Sequence, residues 1–280
     1  MCPDLTAETV SALTPRPLGR GVVMAQRWRD VAFVHWAVEP RRVGHLFPTG
    51  TRPDVIDGMT WVGLVPFRMV GAGLGRRHPV PYLGSFPETN VRLYSVDTLG
   101  RRGVVFLSLD ASRLAVVLGA RAAYGLPYQW SRMHVSRRGQ VLTYVTWRRW
   151  PGPRGCASRV VVRVGDALTH PSATESFLTS RWGLHQGWAG RTLYTPNEHE
   201  PWALHRAELI ELRDDLLAAA GLPELAARAP DLVHWSPGVA SSFGVPMLVP
   251  PPPCGDKLLD HRGVGAAVGE GAGVGEGGGA

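Results

Sequence analysis

Apolar positions in the first half of the chain fall in short runs bounded by turn residues, which is the spacing of strands rather than helices. Asp30 to Ala37 reads as a buried strand, and Pro40 to Leu46 as a short helix with proline at its first position. Asp57-Gly58 marks a turn before an apolar strand from Met59 to Val70. Thr89 to Val96 alternates, with Val91 and Leu93 on one face and Asn90, Arg92 and Tyr94 on the other. Gly103 to Leu109 is apolar except for Ser108, as a strand buried on both faces should be.

Asp110 stands where it would cap a helix running to about Tyr124, whose stripe is Leu114, Val117, Leu118 and Arg121, with Gly125-Leu126-Pro127 as the stop. Tyr128 to Ser136 and Gln140 to Trp150 form a hairpin across Arg137-Arg138-Gly139, followed by a loop at Pro151 to Gly155 and a strand at Arg159 to Val164. A capping box, Ser172 with Glu175, opens the next helix. Strands near Leu184 to Trp188 and Arg191 to Thr195 come next, and Leu209, Leu212 and Leu216 predict a long amphipathic helix from Pro201 to Ala220. Leu232 to Trp235 and Val239 to Val245 are two last strands. The sum is a mainly β chain with a few helices (α+β), without a βαβ repeat.

The ends differ from this middle. Residues 1–21 are punctuated by proline, and 250–280 begin with four prolines and finish as a Gly-Ala-Val-Glu run too poor in apolar surface to offset its ordering entropy. A single domain over residues 22–249 is expected, between a flexible leader and a disordered tail.

Composition sharpens the picture in three places. Of 30 basic residues only Lys257 is a lysine, so the net charge of +7 reflects arginine usage typical of GC-rich coding. Its clusters are no longer than pairs such as Arg76-Arg77, and no recognition motif accompanies them, so no nucleic-acid partner is expected. Cys2, Cys156 and Cys254 have neither disulfide-framework nor zinc-site spacing, and the apolar stretch from Leu114 to Ala120 is far too short for a membrane span. A cytoplasmic protein without a membrane partner is expected. The 10 tryptophans either fill the core or line a pocket.

No catalytic motif is complete. Gly71-Ala72-Gly73-Leu74-Gly75 lacks the spacing of a dinucleotide site and reads as a mobile loop. Asn197-Glu198-His199-Glu200 with His205 offers imidazole and carboxylate groups, but a polar loop-to-helix junction accounts for them, and no metal or other cofactor is expected. His35, between Val34 and Trp36, suits a structural or a functional role. Alternation also puts Glu88, Asn90, Arg92 and Tyr94 on one strand face, which lines a polar pocket if it points inward and is an ordinary solvated sheet if it does not.

The runs Phe33-Val34-His35-Trp36, Leu46-Phe47-Pro48, Trp61 to Phe67, Phe86 to Arg92, Phe106 to Asp110, Leu126-Pro127-Tyr128, Phe177 to Trp182 and His199 to Trp202 resemble the bacterial DUF2071 (YqjF-like) family. The resemblance covers about residues 26–245 and implies an acetoacetate-decarboxylase-like fold, an antiparallel β-barrel or cone with an internal cavity. The decarboxylases of that fold carry an Arg-x-x-x-Gly-x-Pro-Lys motif whose lysine forms an imine with the substrate ketone. Here Arg121, Gly125 and Pro127 keep the spacing and Tyr128 stands in the lysine position, while Glu88 is the counterpart implied for the site's carboxylate. An imine needs a neutral primary amine, so this chain is not expected to be a Schiff-base decarboxylase.

The expected site is therefore a cavity with Glu88, Arg92, Arg121, Tyr128 and His35 near it, holding a carboxylate or carbonyl compound. Catalysis by a lysine-independent lyase or hydratase and ligand binding without turnover both remain open, as does self-association into a homo-oligomer. The competing reading is a structural or interaction protein whose barrel is filled solid.

Overall fold

The structure is a computed structural model that describes residues 17–251 except 20 and 77. The first half contains β1 (Met24–Val38), α1 (Pro40–Val43), β2 (Thr51–Pro53), β3 (Thr60–Leu74), β4 (His78–Pro79), β5 (Phe86–Asp97), β6 (Arg102–Ala111) and α2 (Leu114–Tyr124). A hairpin of β7 (Tyr128–Arg138) and β8 (Val141–Trp150) leads to β9 (Ala157–Ala167), α3 (Ala173–Thr179), β10 (Gly183–Trp188) and β11 (Arg191–His199). The described residues end with β12 (His205–Asp214), α4 (Leu216–Ala219), α5 (Pro223–Ala226), β13 (Leu232–Phe243) and β14 (Met247–Leu248).

All strands belong to one sheet that closes on itself. The circuit runs β6-β7-β8-β9-β12-β13-β1-β3-β5, and β5 pairs back onto β6 over Glu88 to Val96. A second, shorter circuit goes from β6 through β10 and β11 to β13. Closure leaves fewer free edges and encloses an interior.

β1 and β3 are apolar on both faces because each separates two apolar clusters. Ala32, Val34, Trp36, Leu64 and Leu93 pack against Leu142, Val162 and Leu216 on one side. Val31, Phe33, Val65 and Phe67 face the other side, towards the enclosed space. Burying one such leucine or phenylalanine contributes about 1.5–3 kcal/mol.

Four expectations are corrected. Asp110 caps no helix: it lies inside β6, fully buried, and accepts from Arg148 Nε at 2.9 Å, Arg148 Nη2 at 2.6 Å and Ser131 Oγ at 2.7 Å. α2 starts later, at Leu114, without a side-chain cap. The long helix over Pro201 to Ala220 is instead β12 and the single turn α4. A bulge places Ile210 between the pairs Leu209–Val162 and Glu211–Val161, so Leu209 and Leu212 reach the same core at a spacing that imitates a helix.

Gly71 to Leu74 is the end of β3 rather than a loop, and Gly75 begins the turn that follows it. A Cβ on Gly73 would lie 1.9 Å from the His78 carbonyl oxygen, so only glycine permits the β3–β4 pairing. The two last strands are one, β13, which passes through Gly238 at φ +117° against the Trp28 backbone.

The expected flexible ends fall largely outside the described residues. At their borders Leu18 N–H donates to Glu198 Oε2 at 2.8 Å, and the Pro250 carbonyl accepts from Thr98 Oγ1 at 3.1 Å.

Candidate functional site: an interior cavity with an acid end and a cationic end

The inward face of β5 carries Glu88, Asn90 and Arg92, and all three line an interior cavity of about 130 Å³. A void of this order holds a benzene-sized molecule. Register explains the floor: Phe67 lies opposite Glu88, Val65 opposite Asn90 and Gly63 opposite Arg92. A Cβ on Gly63 would come within 3.3 Å of the His35 ring and Arg92 Cγ, so glycine leaves room for both. Trp28 and Trp202, stacked at 5.6 Å, form part of the wall, and the interior is not filled solid.

At one end Tyr128, the first residue of β7, donates its hydroxyl to Glu88 Oε2 at 3.1 Å. Burial raises the Glu88 carboxyl to about 8; the Tyr128 hydrogen bond opposes this and the nearby Asp110 charge adds to it. Burial also lifts the Tyr128 phenol well above its ordinary value, with the Glu88 charge as a further cause. At neutral pH both groups carry protons, so this end can donate to a ligand oxygen.

Further along β5 the charge is positive. Arg92 Nε and Nη2 donate to Tyr94 Oη at 3.2 and 3.0 Å, and the guanidinium lies over the Phe33 ring at 5.5 Å. Tyr94 Oη in turn contacts His35 Nε2 at 2.6 Å. Burial, then Arg92 and His234, hold the His35 imidazole well below its usual value, so it is neutral and shares a hydrogen bond with the phenol. No ion pair of Arg92 occurs among the described residues.

Arg181, which follows α3, closes this end. Its Nε donates to the Phe177 carbonyl at 2.7 Å and its Nη1 to Asp54, which also accepts from Arg102 Nε at 2.6 Å. β11 contributes Thr195, Asn197 and His199, the last fixed by Nδ1–H donation to the Glu200 carbonyl at 2.7 Å.

Of the residues expected at the site, the structure places Glu88, Arg92 and Tyr128 on the cavity wall. His35 is 1 % exposed and does not line the cavity; it stacks on Phe33 and bonds Tyr94, two residues that touch Arg92. Arg121 is a correction: it does not line the cavity, because Leu114 and Leu118 of its stripe face solvent and α2 lies outside the sheet. Its Nη1 donates to the Tyr128 carbonyl at 2.8 Å, so it holds the backbone of the tyrosine without touching the interior.

Arg181, Thr195, Asn197 and His199 were not expected there. Their segments, Phe177 to Trp182 and Asn197 to Glu200, stand out in the sequence, but only closure of the ring turns them inward. Among the described residues no group of three His, Cys, Asp or Glu side chains is arranged to hold a metal ion.

A second polar cluster is sealed. Ser95 Oγ contacts His185 Nδ1 at 2.8 Å and His185 Nε2 contacts Asp97 Oδ2 at 3.3 Å. Burial raises the Asp97 carboxyl, but hydrogen bonds from His185 and Arg101 outweigh it and bring it to about 2. Ser95 is completely buried and lines none of the pockets described, so this is an anchor for the Asp97–Arg101 turn rather than a hydrolytic triad.

The wall has one weak place. Along one edge β6 pairs with β10 at Val104 and Val105 and with β7 from Leu109 onward, leaving Phe106, Leu107 and Ser108 without a partner strand on that edge. Leu126 fills the gap beside Phe106 and Gln186, and these three side chains separate the cavity from an outer pocket of about 310 Å³. Gln186 Nε2 ties the plug down by donating to the Tyr124 carbonyl at 2.9 Å.

The closed β-rich sheet, with a largely apolar cavity that carries a few polar groups, is of the acetoacetate-decarboxylase-like fold class. The chain superimposes on acetoacetate decarboxylase from Legionella pneumophila with a TM-score of 0.57, covering 90% of this chain and 98% of that one at 13% identity. The enduracididine biosynthesis enzyme MppR, in a complex with pyruvate, matches with a TM-score of 0.55 over 86% of this chain and 93% of that one at 15% identity. At such identities these likenesses show the fold alone.

Within that class the chain belongs to the DUF2071 family, described as an uncharacterized conserved protein, whose profile matches residues 25–240. It is 31% identical over 188 residues to the uncharacterized protein YqjF of Bacillus subtilis (strain 168), a match spanning 66% of this chain and 76% of the relative.

Proposed function

We propose that the cavity binds a small carboxylate or carbonyl compound and does so without an imine. The observation that carries this is the pairing of opposite chemistries along one strand face: a protonated Glu88–Tyr128 pair that donates hydrogen bonds, and Arg92, which attracts an anion. Between them Val65, Phe67, Phe33 and Leu109 offer an apolar passage. The pyruvate complex of MppR supports the reading, since a protein of the same fold binds an oxo acid. The described residues contain no lysine, which favours noncovalent binding, with acid–base chemistry open to Glu88 and Tyr128.

The test is a panel of small oxo and hydroxy acids, read by thermal melting and product analysis together. A bound acid raises the melting temperature; at a hundredfold excess over its Kd it stabilises by about 2.7 kcal/mol. The Arg92→Leu variant, which removes one of the cavity's two cations, shows a smaller shift for anions. Product formation identifies a lyase or hydratase, and a shift without product identifies a sensor. If no acid in the panel moves the transition of the wild-type protein, the reading fails.

A further inference from the structure

Four polar side chains on the wall, each at least nine-tenths buried, have a hydrogen-bonding atom with no protein partner: Asn90 Oδ1, Arg181 Nη2, Thr195 Oγ1 and Asn197 Oδ1. Leaving such an atom dry costs on the order of 1–3 kcal/mol, and more when the group is charged. Native interiors keep such groups where a ligand or water completes them. Three of the four, Arg181, Thr195 and Asn197, come from the α3–β11 side of the cavity.

They stand apart from the acid end within the same cavity. The Arg181 guanidinium sits 5.0 Å from the centroid of the Tyr94 ring, further along β5 than Glu88.

We propose that Arg181, Thr195 and Asn197 form a carboxylate subsite, so that the cavity is specific for oxo acids bound in one direction, carboxylate at Arg181 and carbonyl oxygen towards Glu88. The proposal rests on the reading of the cavity as a site for small carboxylate or carbonyl compounds. It adds which residues seat the charge.

Arg92 is the weaker candidate for that seat, because Arg181 Nη2 is a buried donor left without a protein partner and no nitrogen of Arg92 is. Arg181 is held ready to receive an anion, since Asp54 and the Phe177 carbonyl fix Nη1 and Nε, which aims Nη2 at the cavity without loss of side-chain freedom on binding. Thr195 supplies a hydroxyl donor from β11. Asn197 does the same with its amide nitrogen, because a half-turn of the side-chain amide exchanges oxygen and nitrogen to suit the partner present. Trp28 Nε1, also on the wall and unpartnered, offers a neutral donor beside them.

The experiment compares two oxo acids, 4-oxopentanoate and 6-oxoheptanoate, with the ketones that lack the carboxylate, pentan-2-one and heptan-2-one, by calorimetric titration of the full chain. In the wild-type protein at least one oxo acid binds tenfold or more tightly than its ketone. Arg181→Lys keeps a cation beside Asp54 but removes the fork; it abolishes that preference and leaves ketone affinity within twofold. Should Arg181→Lys fail to fold, Thr195→Val and Asn197→Leu, which leave the Asp54 pair intact, each reduce the preference at least threefold.

Two results are distinguishable as failures. If the preference survives all three variants and disappears in Arg92→Leu, the carboxylate sits at Arg92 and the subsite is wrong while the cavity reading stands. If the wild-type protein binds neither acids nor ketones, the cavity reading fails and the subsite with it.

Discussion

The fold keeps one carboxyl group in its acid form by denying it water. Glu88 is 2 % exposed, its nearest polar partner is a phenol, and the neighbouring Asp110 carries the charge that Arg148 neutralises. Its proton affinity is raised from 4.5 to about 8 by burial first, with Asp110 adding to the effect, and this fixes the sign of its contribution to stability. Below about pH 4.5 the group is protonated in both folded and unfolded chains and its contribution is fully present. Between 4.5 and 8 the unfolded chain releases the proton and the folded one does not, so this contribution falls by about 1.4 kcal/mol per pH unit, and it is lost once the pH passes 8. Glu88→Gln, which cannot ionise, should therefore gain on the wild-type protein steadily from pH 5 to pH 8 in urea unfolding experiments. Parallel stability curves for the two proteins would mean that Glu88 ionises normally and that the acid end of the cavity does not exist.

At the scale of elements, the gap in β6 makes α2 and β10 more than a covering layer. Gly125 ends α2 at φ +63°, where a Cβ would lie 2.9 Å from the Gly187 carbonyl oxygen, so the turn that carries Leu126 into the gap needs glycine. Gln186→Leu keeps the volume of the plug and removes its hydrogen bond to Tyr124. A neutral hydrogen bond is worth about 1 kcal/mol, so entry and exit of 4-oxopentanoate should both accelerate about fivefold with little change in Kd. Stopped-flow tryptophan fluorescence reads both rates; unchanged rates would place the entrance elsewhere. The same elements show where sequence patterns mislead. The alternation of β5 was legible, because its two faces differ in polarity. β12 was not, since the bulge at Ile210 converts a period of two into a spacing of three, and Asp110 imitated a helix cap because an aspartate before an apolar stretch is what a cap looks like when its buried partner, Arg148, is 38 residues away.

Over the whole molecule, local patterns identify strands but not their neighbours. That the chain is mainly β, and that Glu88, Arg92 and Tyr128 belong together, followed from alternation and from the resemblance to DUF2071. The second circuit, in which Leu184 of β10 pairs with Val104 of β6 and Asn197 of β11 with Phe243 of β13, joins segments distant in sequence, and that is what brings Arg181, Thr195 and Asn197 to face the same void. The chemistry open to that void follows from composition as a whole. One lysine, Lys257, occurs in 280 residues, and it lies outside the described residues; a lysine at its ordinary pKa of ~10.4 is neutral to only on the order of a thousandth at pH 7. Borohydride reduction in the presence of acetoacetate should therefore trap no stoichiometric adduct within residues 22–249, and the protein should release no carbon dioxide from acetoacetate above background. Peptide mapping separates adducts at the N-terminal amine from any at Lys257. Decarboxylation that disappears in Lys257→Ala would show that the tail delivers an amine to the cavity, and would replace the noncovalent chemistry proposed for Glu88 and Tyr128 with an imine mechanism.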